Sequence, residues 1–308
     1  MELQMKLLGD HVRNQAFFDA LKKVIRPGVT TIADIGSGTG FLSFLASKLG
    51  AKMCYLYEQD EALLELSRKI ANENKITNCR FVPLHSSQVK QPEKVDVVIS
   101  ETLGNYALEE HIIENLGDAR RFLKPGGMIL PSCLEQWIAP VTNKRILDEM
   151  NPWDHVGFDV NLQPAKHAAL NNMYVAKIHA SDLLKKDCAK KWDEVDFHKK
   201  EKSVRAGKAN WTMDHRAAIF GFAVWWKCTL APGMTLSTSP FSPSTHWDQI
   251  FLPLEEPLAV NKNDRLEIHL ASDTRYQIGV RLKWETRIFH QGKTLKEALF
   301  MDTGRGVA

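Results

Sequence analysis

The first 130 residues alternate short apolar stretches with amphipathic ones, and this alternation restricts the fold more than any other feature of the chain. Strands are predicted at the apolar stretches, which are TTIADIG, KMCYLYE, CRFVPL, VDVVIS and GGMILP. Helices are predicted at FLSFLASKLG and DEALLELSRKIANEN, where apolar residues recur at helical spacing. Strands separated by helices in this way form a parallel sheet that is covered on both faces. We therefore predict an α/β domain.

The second half of the chain follows a different pattern, with long stretches that partly alternate apolar and polar residues. These stretches are IFGFAVWWKCTL at 219–230, RLEIHLAS at 265–272 and QIGVRLKWETRIF at 277–289. Few helical patterns separate them, which predicts antiparallel β structure in a barrel or a sandwich. Residues 151–172 have no clean period and are predicted to form a loop or a protruding arm. The lysine-rich residues 183–208 are predicted to form a solvent-exposed face or edge, with nucleic-acid contact as the alternative.

The composition of the 308 residues limits the class of protein. Hydrophobic residues make up 44%, enough for a large core, and the formal net charge of +3 marks neither a nucleic-acid binder nor an acidic surface. The five cysteines are scattered without a CxxC pair, which argues against zinc and disulfides and for a reducing compartment. The sequence has no signal peptide and no apolar stretch long enough to span a membrane. We therefore expect a soluble cytoplasmic protein without a metal ion.

A glycine-rich turn, ADIGSGTG, connects the first predicted strand to the helix that follows it. Gly36, Gly38 and Gly40 let the backbone turn tightly and approach a ligand closely. Asp34 precedes the turn, and Glu58 ends the next strand, where an acid can accept hydrogen bonds from both hydroxyls of a ribose. Together these residues predict a site for a nucleoside cofactor, with a tight turn that binds no ligand as the alternative.

This pattern resembles that of the S-adenosylmethionine-dependent methyltransferases, which implies a Rossmann-like domain with S-adenosyl-L-methionine as its cofactor. By this resemblance Glu58 binds the ribose, and the glycine turn after Asp34 passes under the methionine part of the cofactor. The residues KPGG at 124–127, before the strand MILP, also resemble a feature of this family. By their own composition they predict a turn.

Two carboxylates follow the predicted buried strand VDVVIS, in the stretch SETLGNYALEE that contains Glu101 and Glu110. Two carboxylates at one site repel each other unless a cation lies between them. A guanidinium fits this position because it is planar, permanently charged and able to pair with carboxylates in a forked geometry. Held in this way, one of its nitrogens is oriented for in-line attack on a sulfonium methyl group. The alternative is that these are acids at the start of a helix, where they interact favourably with the helix dipole.

The stretch resembles the double-glutamate loop of the protein arginine methyltransferases. Glu101, Leu103, Gly104 and Glu110 match that loop, with the second glutamate nine positions after the first. Glu109 lies beside Glu110, and the spacing favours Glu110 as the second member of the pair. The resemblance implies that Glu101 and Glu110 are catalytic residues.

Two further segments match that family in the same order along the chain. LLGDHVRNQAF resembles the family's first helix, and residues 237–254 resemble its Thr-His-Trp loop with the following strand. The resemblance implies that Asp10 pairs with the loop histidine, His246, and that both belong to the catalytic site. It also implies that Arg13 grips the cofactor carboxylate and that Trp247 contacts the substrate.

Several positions differ from the family pattern. Leu7 aligns with the methionine that lies beside the substrate nitrogen, and Thr102 and Asn105 replace a tryptophan and a tyrosine of the double-glutamate loop. Ser87 and Gln88 fall where an acid usually receives the adenine amino group, so we expect uncharged hydrogen bonds there. The sequence before the first motif contains no counterpart of the tyrosine-rich helix that closes over cofactor and substrate, so the resemblance does not extend to that closure.

The resemblance and the two patterns together predict the organisation of the chain. We expect a Rossmann-like domain that binds S-adenosylmethionine at residues 1–133 and a β-barrel substrate domain at 134–308. Within the second domain, GFD at 157–159 resembles part of the family's dimerisation arm, which predicts an arm at about 148–175 and a homodimer.

The leading functional hypothesis is S-adenosylmethionine-dependent N-methylation of arginine in proteins or peptides. A first alternative keeps the cofactor and changes the substrate to a small guanidine, an amine or another non-protein molecule. RNA as the substrate is disfavoured because two carboxylates repel an anionic chain. A second alternative, of another class, is a catalytically inactive dimeric scaffold that retains the fold.

Overall fold

The structure is a computed structural model that describes residues 2–291 and 294–306. Its helices are α1 (Glu2–Gly9), α2 (His11–Val24), α3 (Phe41–Lys48), α4 (Glu61–Glu73), α5 (Ile112–Ala119), α6 (Arg145–Met150) and α7 (Gln163–Leu170). Carboxylates fix where two of them begin. Asp10 accepts the backbone N–H of Arg13 at the start of α2, and Asp60 accepts two backbone N–H groups at the start of α4.

The predicted parallel sheet is present in the first part of the chain. Its strands are β1 (Thr31–Ile35), β2 (Met53–Tyr57), β3 (Cys79–Val82), β4 (Val95–Ile99) and β5 (Leu123–Leu130). They pair in parallel in the order β3-β2-β1-β4-β5. The central position of β4 explains its composition, because Val95, Val97, Val98 and Ile99 are fully buried.

The order of these strands creates a crevice between β1 and β4. The chain runs outward from β1 to β3 on one side and then returns to place β4 on the other side of β1. Ligands of open α/β sheets bind at such a reversal, outside the carboxyl ends of the strands. The glycine turn follows β1 and the double-glutamate stretch follows β4, so the two candidate motifs meet at this point.

The second half of the chain is antiparallel, as predicted. Its strands are β6 (Cys133–Val141), β7 (Tyr174–Ala176), β8 (Lys190–Asp196), β9 (Val204–Thr212), β10 (Ala217–Ala231), β11 (Met234–Ser237), β12 (Gln249–Val260), β13 (Arg265–Asp273), β14 (Arg281–His290) and β15 (Thr294–Asp302). One sheet has the order β7-β12-β10-β6-β8, with β11 also paired to β10, and the other has the order β15-β14-β13-β9. The predicted barrel-like half is therefore built from two antiparallel sheets in the described residues.

Two local predictions need correction. KPGG at 124–127 does not form a turn before the strand but lies inside β5, where the pairing with β4 shifts register and Gly126 adopts a φ of 76°. Glycine tolerates that φ, so the extra residues form a bulge and the strand continues. The last predicted strand begins later than expected, at Arg281, because residues 277–280 belong to the preceding loop.

The two segments without a clear period contain regular structure. Residues 151–172 include α7, which is too short for its period to be recognised from sequence. The lysine-rich residues 183–208 contain β8 and β9, each at an edge of its sheet. Edge strands with charged residues are common in soluble proteins because the charges discourage pairing with other chains.

The parallel sheet ends at Leu130, and Cys133 already pairs with Thr229 and Asp196 in the antiparallel sheet. The exact division at 133/134 and the arm at 148–175 stay predictions. Among the helices of the described residues, none is both long and apolar enough to cross a membrane.

Candidate active site

A cavity of about 700 Å³ opens at the carboxyl ends of the parallel strands. The glycine turn and the double-glutamate stretch form its floor, and α1 and the segment around His246 contribute from other parts of the chain. Ligand sites commonly occupy a cleft of this size at the reversal point of a parallel sheet. Both halves of the protein therefore contribute to one candidate site.

The glycine turn is held against the end of β2. The N–H of Gly36 donates to the carbonyl oxygen of Tyr57 at 2.9 Å, and the N–H of Gly38 donates to Oε2 of Glu58 at 2.9 Å. Gly40 has a φ of 80°, and a Cβ there would lie 2.3 Å from Oγ of Ser67. The turn consequently leaves no room for a side chain at position 40.

The two acids of the predicted cofactor site have different surroundings. Asp34 is buried and accepts a hydrogen bond from Oγ of Ser43 at 2.7 Å. Burial raises the pKa of Asp34 to about 6, although the bond from Ser43 opposes the shift. Glu58 accepts the N–H of Gly38 at 2.9 Å with one oxygen and the N–H of Asp60 at 2.8 Å with the other. Each oxygen of Glu58 retains a further lone pair for a ligand.

Glu101 holds a guanidinium inside the cavity, that of Arg13. Nε of Arg13 donates to Oε2 of Glu101 at 2.8 Å, and Nη2 donates to the same oxygen. Both side chains are almost fully buried, at 7% and 5% exposure. Burial raises the pKa of Glu101 to about 7, and the positive charge of Arg13 acts in the opposite direction. Arg13, predicted to grip the cofactor carboxylate, therefore contacts Glu101 and also lines the cavity in which the cofactor is expected.

The neighbouring glutamates 109 and 110 differ in their contacts. Oε1 of Glu109 accepts the N–H of Asn105 at 2.8 Å, and its side chain packs so closely on Gly104 that a Cβ there would lie 2.0 Å from Oε1. Glu109 thus stabilises the loop between the glutamates through contacts within that loop. Glu110 lines the cavity and is partly exposed to solvent. Partial burial of its carboxyl group raises the pKa of Glu110.

The predicted pair of Asp10 and His246 is present. The backbone N–H and the ring Nδ1 of His246 both contact Oδ2 of Asp10 at 2.7 Å, and Oδ1 of Asp10 accepts the N–H of Arg13 at 2.8 Å. Burial opposes ionisation of Asp10, but the hydrogen bonds from Arg13 and His246 lower its pKa overall. Burial lowers the pKa of His246, with Asp10 acting the other way. One carboxylate thus joins the start of α2 to the segment before β12.

Two tryptophans fix the loop between the glutamates. Nε1 of Trp247 donates to the carbonyl oxygen of Leu103 at 2.7 Å, and Nε1 of Trp226 donates to that of Gly104 at 3.0 Å. The two indoles also make an edge contact with ring centroids 4.9 Å apart. Trp247 is buried at 4% exposure, so it both anchors the loop through this bond and lines the cavity. No sequence pattern pointed to Trp226, because a tryptophan in an apolar strand looks the same as any other core residue.

Further bonds attach the same loop to the second half of the chain. The N–H of Asp248 donates to Oδ1 of Asn105 at 2.9 Å, and the hydroxyl of Tyr106 donates to Oγ of Ser272 at 2.7 Å. Asn105, which departs from the family pattern, is therefore a structural partner of the Thr-His-Trp segment. These contacts make the position of the glutamates depend on both halves of the protein.

The remaining predicted residues lie at the margins of the cavity. Leu7, on α1, lines it. Ser87 lines a smaller adjoining cavity of about 520 Å³, and Gln88 is an exposed residue whose Oε1 accepts the N–H of His85 at 3.0 Å. Ser86 lines the large cavity instead, and within the described residues its buried Oγ has no hydrogen-bond partner. Ser86 is thus better placed than its two neighbours to meet a ligand there.

Comparison with known proteins gives the family. A family model described as the arginine methyltransferase oligomerization subdomain matches residues 135–287, and one described as ribosomal protein L11 methyltransferase matches residues 8–141. Protein arginine N-methyltransferase 6 of Xenopus tropicalis is 30% identical over 278 residues, which cover 85% of this chain and 80% of that protein. The chain belongs to the protein arginine N-methyltransferase family. Protein arginine N-methyltransferase 6 of Xenopus laevis is 28% identical over 323 residues, covering 95% of this chain and 93% of that one.

Solved structures of arginine methyltransferases share the fold. A Trypanosoma brucei PRMT1 enzyme–prozyme heterotetrameric complex with AdoHcy has a chain that matches with a TM-score of 0.85 and 20% identity, covering 97% of this chain and 98% of that one. Arabidopsis thaliana protein arginine methyltransferase 10, solved in an open conformation, matches with a TM-score of 0.82 and 22% identity, covering 97% of each chain. The predicted family and the predicted fold class are both confirmed.

Proposed function

We propose that this protein transfers a methyl group from S-adenosyl-L-methionine to the guanidinium of arginine in protein or peptide substrates. One observation carries the proposal beyond family membership. Glu101 binds a guanidinium in the cavity, that of Arg13, and Glu110 lies on the wall of the same cavity. Arg13 balances one of the two carboxylate charges, so Glu101 and Glu110 together keep one negative charge for a second guanidinium.

The cavity also fits the cofactor. The glycine turn brings backbone close to the ligand space, Glu58 has acceptor capacity for ribose hydroxyls, and Ser86, whose buried Oγ has no partner within the described residues, lines the same cavity. Bound there, S-adenosylmethionine supplies an electrophilic methyl group on its sulfonium sulfur. The Trypanosoma brucei neighbour was solved with AdoHcy, the product of such a transfer. The cofactor carboxylate is assigned to Arg13, as the resemblance predicts, which requires Arg13 to serve it as well as Glu101.

In the transfer, Glu101 and Glu110 orient the substrate guanidinium so that one nitrogen faces the methyl group. The bound cofactor would supply the methyl group and leave as S-adenosylhomocysteine, and the methylated nitrogen would release one proton. Carboxylates on the cavity wall provide an acceptor for that proton. Orientation and fixed counter-charge supply the rate enhancement in such a site. The roles of Asp10 and His246 are to fix the start of α2, and with it Arg13, against the segment before β12.

The cofactor role of Glu58 can be tested by binding. Glu58→Ala should weaken S-adenosylhomocysteine by roughly 1.5–3 kcal/mol, the scale of one hydrogen bond to a charged group. Glu58→Gln keeps the shape and one acceptor oxygen, so its loss should be smaller. Isothermal titration calorimetry on both variants measures the difference. An affinity equal to that of wild type for Glu58→Ala, with the fold intact, would remove Glu58 from the site.

The activity should depend on pH through Glu101. Its pKa of about 7 means that the carboxyl group is largely protonated below pH 7 and ionised above it. Only the ionised form balances a guanidinium, and kcat/KM reports the ionisation of the free enzyme. We expect kcat/KM to fall about tenfold per pH unit well below pH 7 and to level off above it. Initial rates between pH 5.5 and 9 check this, and a flat profile would contradict it.

The substrate assignment is tested with labelled cofactor. An arginine-containing peptide should take up label, and the same peptide with lysine in place of arginine should not. Label found in a small guanidine or amine of a cell extract, and in no protein, would support the first alternative instead. Binding of S-adenosylhomocysteine without transfer to any acceptor would support the inactive scaffold.

We also infer a homodimer formed by the arm at residues 148–175. Phe158 in this segment is 91% exposed, and Val156 and Val160 are exposed beside it. A contiguous exposed apolar surface of this kind typically marks a protein–protein interface, and closed twofold dimers are the commonest assembly. The matched oligomerization subdomain and the heterotetrameric neighbour support an oligomer.

Light scattering should therefore give twice the 34.9 kDa mass of one chain at micromolar concentration. Phe158→Asp places a charge on the apolar surface and should produce a monomer. Val29→Asp, which changes an equally apolar residue that is 55% exposed elsewhere, is the control and should leave the dimer intact. A monomeric wild type would count against the arm as an interface.

We infer a cytoplasmic location from the five cysteines. All five are free thiols, and a reducing compartment keeps thiols in that state.

A further inference from the structure

A loop from the second half of the chain lies against the residue that follows Glu110. This loop, residues 274–280, joins β13 to β14 and carries Tyr276. The rings of Tyr276 and His111 stack with centroids 4.0 Å apart and planes inclined by 33°. The hydroxyl of Tyr276 donates to Oδ1 of Asn115 at 3.0 Å, and ring Nδ1 of His111 lies 3.2 Å from the carbonyl oxygen of Thr274. Three contacts therefore tie the start of α5 to this loop.

The backbone of His111 is in an unusual conformation. Its φ of 58° and ψ of 31° fall in the left-handed region, which only a few per cent of residues other than glycine adopt, although histidine does so more often than most. A residue keeps such a conformation only where its surroundings determine it fully. Two of the contacts around it come from the 274–280 loop, the ring of Tyr276 and the carbonyl of Thr274. The third comes from α5, where the backbone N–H of Asn115 donates to the carbonyl oxygen of His111 at 2.9 Å.

The conformation of His111 affects the position of Glu110, the preceding residue. The backbone dihedrals of His111 set the path between Glu110 and α5, and so the direction in which the Glu110 side chain leaves the chain. Within the described residues, the Glu110 carboxylate has no hydrogen bond or ion pair, and the residue is held through its backbone carbonyl oxygen, which accepts from Nδ2 of Asn115 at 3.2 Å. Its position therefore depends on the backbone, whereas Glu101 is held directly by Arg13.

We propose that Tyr276 and His111 are positioning residues for methyl transfer, and that their stacked rings hold Glu110 at the substrate guanidinium. This inference rests on the function proposed above and adds residues that no motif of the chain contains. Tyr276 lines both the large cavity and the smaller one beside it, so it also forms the wall between them. The proposal assigns the positioning to the stacked rings. The bond from Tyr276 to Asn115, whose Nδ2 donates to the carbonyl oxygen of Glu110 at 3.2 Å, is the competing route that Tyr276→Phe tests.

The kinetic test compares three variants with wild type on an arginine peptide at saturating cofactor. Tyr276→Ala should lower kcat about tenfold, because a catalytic group displaced by even a fraction of an ångström loses alignment. Tyr276→Phe keeps the ring and loses only the bond to Asn115, so it should stay within about twofold of wild type. Ile278→Ala, which changes another exposed residue of the same loop, is the control and should match wild type.

Two measurements separate positioning from loss of folding or of cofactor binding. Calorimetry with S-adenosylhomocysteine should give the same affinity for Tyr276→Ala and wild type within about twofold, and urea unfolding should show that the variant is fully folded under the assay conditions. Hydrogen exchange should show amides of residues 111–113 exchanging at least about tenfold faster in Tyr276→Ala, because the contacts that hold His111 are gone.

The outcomes distinguish this inference from the proposed function. A wild type that methylates no arginine peptide counts against the proposed function, and the exchange measurement then still decides whether Tyr276 holds His111. An active wild type with unchanged kcat in Tyr276→Ala overturns only the positioning role. Equal losses in Tyr276→Ala and Tyr276→Phe would assign the effect to the Asn115 bond and overturn the role of the stacked rings. Unchanged exchange at residues 111–113 would overturn it as well.

Discussion

Replacing Glu110 by Gln should lower turnover by at least about a hundredfold, the usual scale for loss of one preorganised orienting group. The substitution keeps the shape of the side chain and removes half of the counter-charge that faces the substrate guanidinium. The affinity for S-adenosylhomocysteine should barely change, because Glu110 has no part in the proposed cofactor site. Steady-state rates on an arginine peptide, together with calorimetry, measure both quantities.

Glu101→Gln should cause a loss of turnover at least as large. Here the change also removes the charge partner of Arg13, which is buried with it at 7% exposure. If Arg13 also holds the cofactor carboxylate, its release from Glu101 changes cofactor affinity, which calorimetry detects and which Glu110→Gln does not produce. Full activity in Glu101→Gln would exclude a guanidinium substrate and indicate one without a charge to hold.

Glu109→Gln is the matched control for both substitutions. Its carboxylate accepts the N–H of Asn105 and packs on Gly104, and the amide oxygen of Gln can take over that bond. Turnover should therefore fall much less than in Glu110→Gln. Equal losses at positions 109 and 110 would mean that the second member of the clamp has been assigned to the wrong residue.

Gly40→Ala should destabilise the protein by about 2–5 kcal/mol. The left-handed conformation costs an alanine about 1–2 kcal/mol, and overpacking of a filled site adds about 1–3 kcal/mol. The crowding is severe, because the new Cβ would lie 2.3 Å from Oγ of Ser67, 2.6 Å from Phe44 and 2.9 Å from Leu56. Urea unfolding of the ligand-free protein measures the change.

Gly28→Ala separates the two contributions. Gly28 has a similar φ of 73°, but an added Cβ there would meet nothing within 4 Å. It should therefore lose only the conformational part, about 1–2 kcal/mol. Equal destabilisation of the two variants would show that the contacts around position 40 relax without cost, and that the glycine turn is not packed as tightly as its geometry indicates.

Local patterns in the sequence determined the parallel sheet and the main candidate residues. The strand Val95–Ile99 was recognisable because a strand buried on both faces has to be apolar at nearly every position. The carboxyl ends of such strands meet at one edge, so Asp34, Glu58 and Glu101 could be grouped from their places in the chain alone. Position 110 was taken from the family spacing and stays a prediction, because Glu109 and Glu110 both line the cavity.

The tertiary structure alone decided how these groups are paired and held. Arg13 reaches Glu101 across 88 positions, and Trp226 reaches Gly104 across 122. The resemblance had named Asp10 and His246, but their contact, 236 positions apart, follows from how the two halves of the chain pack. Periodicity encodes only which face of an element is buried, and every arginine or tryptophan on a buried face gives the same pattern whatever it contacts.

The sequence also could not predict which of two neighbouring residues faces a site. Ser86 rather than Ser87 lines the large cavity. Which of the two serines does so depends on how the short turn at Ser86–Gln88 is oriented. His111 and Tyr276 carried no motif, because their contact arises from two loops that approach each other only after both sheets have formed. The sequence by itself thus determined the elements, the fold class and the acids at the strand ends. Packing between the two halves decided which cation each acid meets, because side-chain contacts between distant segments depend on geometry that no local pattern records.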